Sequence, residues 1–399
     1  MKRNTGLALL LALLMLLTAC GENTGSSTAA PTEAPALSTE AETTTEAETE
    51  ATTEEPTTEA PTKEYAKRQV KLSGSELLPF VFGYLTTAKD NSNYVTFYRF
   101  TEKQRQQLLA DGKTFVANTG AGIRLDIVGG FEHIKIKYRF GTGVSSQSQS
   151  FDVYENGVKT KNVTVPKAKY TSTVEDVLDY QMTKPGRFTL WFPTYASFAI
   201  AEIETDAEFE AAPQGVKVLV HGDSVTQGAF TEQVSEGYIA VMAREFGWDL
   251  LNQACSSYTF KKYPRDSFDF EPEIILVDYG YNDFNAGDVI DAEAGKFLQE
   301  IKDRYPKAQV FVISPAVRRY LKNESDQMMR LKLNKNNVSY QACCDTIEQH
   351  AAALGFTFMK SYNAQRSPIM IQDSVHPTKD GHVLLGKDLA EQLKEMLAP

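Results

Sequence analysis

The feature that most constrains this chain is a change of hydrophobic period near residue 213. Before it, short runs alternate apolar and polar residues. His133 to Phe140 reads HIKIKYRF, which puts Ile134, Ile136 and Tyr138 on one face and Lys135, Lys137 and Arg139 on the other. A period of two belongs to a strand with one buried face. Gly122 to Val128 alternates in the same way before Gly129-Gly130, and Phe151 to Tyr154 runs into Glu155-Asn156-Gly157, a hairpin signal. Arg187 to Glu204 supplies two further runs around Pro193, and Glu102 to Leu109 is the one helical patch. Residues 67–212 are therefore expected to form an all-β sandwich or jelly roll. Beyond residue 213 the strands become continuously apolar: Val216 to Val220, Ile274 to Val277, Val310 to Ile313 and Phe356 to Met359, with helical stretches between them. Such strands lie in a parallel sheet covered on both faces, so residues 213–399 are expected to form a three-layer α/β/α domain.

The first 66 residues belong to neither pattern. Lys2 and Arg3 precede an unbroken apolar run, Leu7 to Leu17, which is too short to span a bilayer. Leu17-Thr18-Ala19-Cys20 follows and resembles a bacterial lipobox, where cleavage leaves a cysteine that carries lipid. Residues 1–20 are thus read as a lipoprotein signal peptide. Acyl chains on Cys20 are expected to anchor the protein at the extracellular face of the cell membrane; an ordinary secretory signal is the plainer alternative. Residues 21–66 are mostly Thr, Glu, Ala, Pro, Ser and Gly, too apolar-poor to offset the entropy of ordering, and are expected to be a disordered linker. Most of the formal charge of −11 lies there; only −3 remains for residues 65–399. With no basic cluster, nothing suggests a nucleic-acid partner. Cys255, Cys343 and Cys344 are odd in number, and the last two are neighbours, so buried free thiols are favoured over disulfides or metal ligands.

Three short motifs in the second domain carry chemistry. The strand ending at Val220 runs into His221-Gly222-Asp223-Ser224-Val225-Thr226-Gln227-Gly228, which places Ser224 at the carboxyl edge of the sheet, where α/β folds bind ligands. A helix after it would aim its first amides at a developing oxyanion. Taken alone, the stretch is more often an ordinary strand–turn–helix with Ser or Asp as the helix N-cap. Gly280-Tyr281-Asn282-Asp283 follows the next apolar strand, and Asn282 can donate to an oxyanion, although Gly, Asn and Asp are also common turn residues. Asp373-Ser374-Val375-His376-Pro377 precedes the last helical stretch, Gly381 to Met396; a carboxylate three residues before an imidazole can orient it, and Pro377 suits the first turn of a helix. Each motif is weak by itself. Their order and placement together are far more specific.

These residues resemble the SGNH (GDSL-like) hydrolase family. Gly222 to Thr226 is similar to its Gly-Asp-Ser-x-Thr block, Gly280 to Asp283 to its Gly-x-Asn-Asp block, and Asp373 with His376 to its Asp-x-x-His block. The block that usually supplies an oxyanion-hole glycine is represented by Asn252 to Ser257, with Ser257 standing where the glycine is expected. The resemblance implies an SGNH-hydrolase fold and a Ser224–His376–Asp373 triad. It also implies oxyanion donors at the Ser224 amide, the Ser257 amide and the Asn282 side chain, with no metal or cofactor. The four other histidines, His133, His221, His350 and His382, match no block and are read as structural. A β-sandwich ahead of such a domain is similar to carbohydrate esterases that remove acetyl groups from plant polysaccharides. The partner so implied is an acetylated carbohydrate or another small ester. A lipase-like or thioester-cleaving acyl hydrolase and a non-catalytic carbohydrate-binding lipoprotein are the alternatives. The run Trp191 to Tyr195 is expected to be core in preference to a sugar platform.

Overall fold

The computed structural model describes residues 63–143, 147–287, 290–315, 332–361 and 376–398. The first domain is built from two six-stranded antiparallel sheets. In one, His133–Gly143 lies between Ala196–Thr205 and Val174–Gln181. In the other, Gly186–Trp191 lies between Arg124–Gly129 and Ser150–Glu155. Both inner faces share one core: Ile134, Ile136, Tyr138 and Phe140 from the first sheet meet Leu125, Ile127, Phe151 and Leu190 from the second. The alternation in the sequence is therefore the alternation of a sandwich. The hairpin joining Ser150–Glu155 to Val158–Thr164 turns at Asn156 and Gly157, both with positive φ, as a type I′ turn requires.

The second domain carries a five-stranded sheet whose described pairings are all parallel. Its spatial order is Asp249–Asn252, Lys217–Gly222, Ile274–Asp278, Gln309–Ile313, Thr357–Met359. Successive residues point to opposite faces: Leu219, Ile275, Val277 and Val312 pack with the helices Ile290–Arg304 and Tyr340–Ala353, while Val218, Val220, Leu276 and Ile313 pack with Tyr238–Phe246 and Lys379–Leu397. These are the three layers. The chain order reverses between the first and third strands, and at that switch point the strand ends open a crevice.

Four expectations need correction. Residues 63–66 are not linker-like: the Tyr65 hydroxyl donates to Glu210 at 2.9 Å and the Glu208 amide to the Ala66 carbonyl at 3.0 Å, because an aromatic ring and free backbone groups dock on the edge of the sandwich. The helix Glu102–Ala110 does not decorate the β-domain; Phe100, Leu108, Val116 and Ala117 sit in the core of the α/β domain with Leu251, Cys255 and Tyr258. The final helix begins at Lys379, capped by the Thr378 hydroxyl on the Gly381 amide, so Pro377 lies outside its first turn. Cys255 and Cys343 are buried free thiols, but Cys344 is only half-buried.

Candidate active site

Ser224 follows the Lys217–Gly222 strand at once. Gly222 has to be glycine there, since a Cβ would stand 2.2 Å from the Thr226 hydroxyl. The Asp223 carboxylate accepts from the Val225 amide at 2.9 Å and so caps the turn. The helix that follows, Ser224–Gln227, is a single turn closed by Gly228 in the left-handed region, so only its first amides, and no long macrodipole, face the site. Thr226 is tied beneath the turn: its hydroxyl donates to the buried Asp278 carboxylate at 2.9 Å, which also accepts from Tyr238 at 2.7 Å.

His376 arrives from the other side of the crevice. Its Nε2 lies 2.8 Å from the Ser224 Oγ, a hydrogen-bonding distance between a hydroxyl and an imidazole separated by 152 residues of chain. The Phe230 ring packs on it with centroids 4.9 Å apart. Asp373 and Cys20 lie outside the described residues. Asn282 projects into the same crevice, with its side-chain amide donating to the Tyr258 carbonyl at 3.1 Å and to Asp223 at a longer 3.3 Å. Gly280 before it has φ 128°, and a Cβ would stand 2.5 Å from Pro315.

The loop after Asp249–Asn252 forms the remaining wall. The Tyr258 amide donates to the Cys255 carbonyl at 3.1 Å, closing a four-residue turn whose third residue, Ser257, has φ 65°. That is the position at which a type II turn prefers glycine. Serine there adopts a left-handed conformation at a cost, so the departure noticed in the sequence is a real backbone strain. Gln227 braces the turn by accepting from the Ser256 amide and hydroxyl, both at 3.0 Å.

Together Ser224, Ser257, Asn282 and His376 line one cleft of about 450 Å³. Lys113, Phe115, Gln147, Tyr195 and Phe230 complete it. Gln147 and Tyr195 come from the β-sandwich, and Lys113 and Phe115 from the insertion that packs into the α/β core. No motif marks them, because they reach the cleft only through packing between domains. Within the aromatic run Phe192 is sandwich core, as expected, whereas Trp191 is buried against the α/β domain with Val218, Val220 and Trp248, and the buried Tyr195 bonds Ser256 at 2.9 Å. Of the other histidines, His382 bonds the Ala229 carbonyl at 2.8 Å, His350 pairs with Asp291 and His133 with Asp179. His221 is buried against Phe297, and burial depresses its pKa to about 3. Among the described residues no group of His, Cys, Asp and Glu is placed to hold a metal ion.

Residues 220–384 match the model of the GDSL-like lipase/acylhydrolase family. The α/β domain is a GDSL-like acylhydrolase domain. The protein that carries it is a carboxylic-ester hydrolase. No curated relative matches the sequence. Solved structures share the fold over both domains of the acylhydrolase. The salicylyl-acyltransferase SsfX3 from a tetracycline biosynthetic pathway has a TM-score of 0.66 at 15% identity, over 83% of this chain and 98% of that one. An acetyl xylan esterase from the rumen bacterium Butyrivibrio proteoclasticus has 0.55 at 14%, over 82% and 99%. A family two carbohydrate esterase from Cellvibrio japonicus has 0.54 at 16%, over 82% and 98%.

Proposed function

We propose that the protein is a serine esterase that removes acetyl groups from O-acetylated polysaccharide or oligosaccharide at the outer face of a cell membrane. The observation that carries the chemistry is the 2.8 Å approach of Ser224 Oγ to His376 Nε2 at the mouth of the parallel sheet. The hydroxyl gives its proton to His376 as its oxygen attacks the ester carbonyl carbon. Amides of Ser224 and Ser257 and the Asn282 side chain receive the oxyanion, the last by exchanging its long contact with Asp223. Collapse expels the sugar hydroxyl, which takes the proton from His376. Water then attacks the acyl-enzyme with His376 as base, and acetate leaves. Asp373, three residues before His376, holds the imidazole in the productive tautomer.

The substrate class rests on the cleft. Tyr195, Ser256, Ser257, Asn282 and Gln147 share its lining with Phe115, Val116, Ala229 and Phe230, so polar partners for a sugar hydroxyl stand beside apolar surface for a short acyl group. Phe115, 46% exposed at the rim, offers a flat apolar face to a pyranose. The acetyl xylan esterase that shares the fold acts on a substrate of this class. The deciding experiment is acetate release from acetylated xylan and mannan beside hydrolysis of short and long p-nitrophenyl esters. Acetate release absent from Ser224→Ala supports the reading. A kcat/KM that rises with acyl length favours a lipase-like enzyme, and polysaccharide binding without acetate release favours a binding protein. For the membrane anchor, Cys20→Ser should move the protein from the membrane fraction to the soluble one.

A further inference from the structure

The β-sandwich holds an arginine whose charge its own domain does not need. Arg99 follows the strand Val95–Tyr98 and is completely buried. Among the described residues no carboxylate pairs with it, and its Nε and Nη2 have no partner. Burial lowers its pKa to about 10, which still leaves it charged at neutral pH. An unpaired buried cation is expensive, and an apolar residue of similar length would pack there more cheaply. What the side chain does is cross into the acylhydrolase domain. Its Nη1 donates to the Asn252 carbonyl at 2.8 Å and to the Ala254 carbonyl at 2.6 Å.

Those two carbonyls govern the turn that carries Ser257. In a trans peptide the carbonyl and the following N–H point in opposite directions. Pinning the Ala254 carbonyl on Arg99 therefore turns the Cys255 amide the other way, where it donates to the Gly222 carbonyl at 2.8 Å. Gly222 is two residues before Ser224. Arg99 thus sets the register between the nucleophile strand and the turn Cys255–Tyr258. Gln104, on the neighbouring helix of the same insertion, bonds the Gln253 side chain at 2.8 Å and supports the same stretch. A serine at φ 65° persists only where its surroundings over-determine the backbone, and the fully buried carbonyl clamp reaches into those surroundings from the other domain, beside the Tyr195 bond to Ser256.

We propose that Arg99 is a positioning residue of the esterase: by clamping the Asn252 and Ala254 carbonyls it holds the strained Ser257 amide where the oxyanion forms. This rests on the serine-esterase reading above. The test is a coupling measurement on the full chain with p-nitrophenyl acetate. Arg99→Met is expected to lower kcat about tenfold to a hundredfold with KM changed less than about twofold, a fraction of the loss of a whole oxyanion donor. Arg99→Lys, which keeps the charge and part of the donation, should recover most of that rate. In a Ser257→Gly background the turn no longer needs holding, so the ratio of rates with and without Arg99→Met should shrink to about threefold, whatever the rate of the background itself. An equal loss in both backgrounds overturns the proposal, as does a loss expressed in KM or explained entirely by the unfolded fraction seen by circular dichroism. Should Arg99→Met not fold, Arg99→Lys in the two backgrounds reads the same coupling at smaller amplitude. Activity surviving in Ser224→Ala would instead defeat the serine-esterase reading, independently of Arg99.

Discussion

The two loops that follow the first and second parallel strands face each other across the same cleft, yet they are built in opposite ways. The nucleophile turn is supported from its own domain. Gly222 sits where no side chain fits, Asp223 caps the turn, and Thr226 is anchored on Asp278. The turn bearing Ser257 has a residue with the wrong intrinsic preference at its critical position. Much of its support comes from the β-sandwich: Arg99 on two carbonyls and Tyr195 on the Ser256 hydroxyl. A domain with no reacting group can thus set the rate of a neighbouring one, because a shift of an ångström in an oxyanion donor matters as much as its presence.

The comparison can be broken or sharpened in order of effect. Ser224→Ala removes the product of the first loop and should lower kcat by roughly 10⁴-fold or more with the melting temperature hardly changed; wild-type turnover on acetylated xylan would end the distinction at once. Asn282→Ala opposes the second loop across the cleft and should lower kcat by about 10²-fold to 10³-fold with KM little altered. A change confined to KM would assign Asn282 to substrate binding.

His221, on the nucleophile strand, gives that side a pH dependence. Burial holds its folded-state pKa near 3, below the ordinary histidine value, so the unfolded chain takes up the proton first. The stability this represents is complete above about pH 6.5 and is lost as pH falls toward 3, by about 2 kcal/mol at pH 5. Urea titrations at pH 7 and pH 5 should show that difference, and His221→Gln should flatten it. The smallest effect is expected at Tyr195→Phe, which deletes one strut of the Ser257 turn. It should lower kcat about threefold to tenfold and stability by about 1 kcal/mol, and a kcat identical to wild type would show that Arg99 and Gln227 suffice.

Much of this is legible in the sequence. His133–Gly143 buries the residues that alternation assigned inward, and Asn156-Gly157 makes its hairpin turn. Ser224, Asn282 and His376, spread over more than 150 positions, line one cleft. The short strand Asp249–Asn252 is not legible in the sequence, because four residues carry too little period. The insertion around Glu102–Ala110 was visible as a helix but not as a part of the other domain's core.

What the sequence determined by itself was therefore whatever depends on neighbours along the chain: strand and helix period, turn chemistry, and motifs whose residue types announce a nucleophile, a base and an oxyanion donor. It also showed that Ser257 was an odd choice. Only the tertiary structure decided how that choice is tolerated, since the clamp joins Arg99 to residues 153 and 155 positions away. An arginine on a strand end looks the same in sequence whether it meets solvent, a carboxylate or two carbonyls of another domain. Burial and hydrogen-bond partners are properties of the packed chain, and it is packing that turns an ordinary basic residue into a brace for the site.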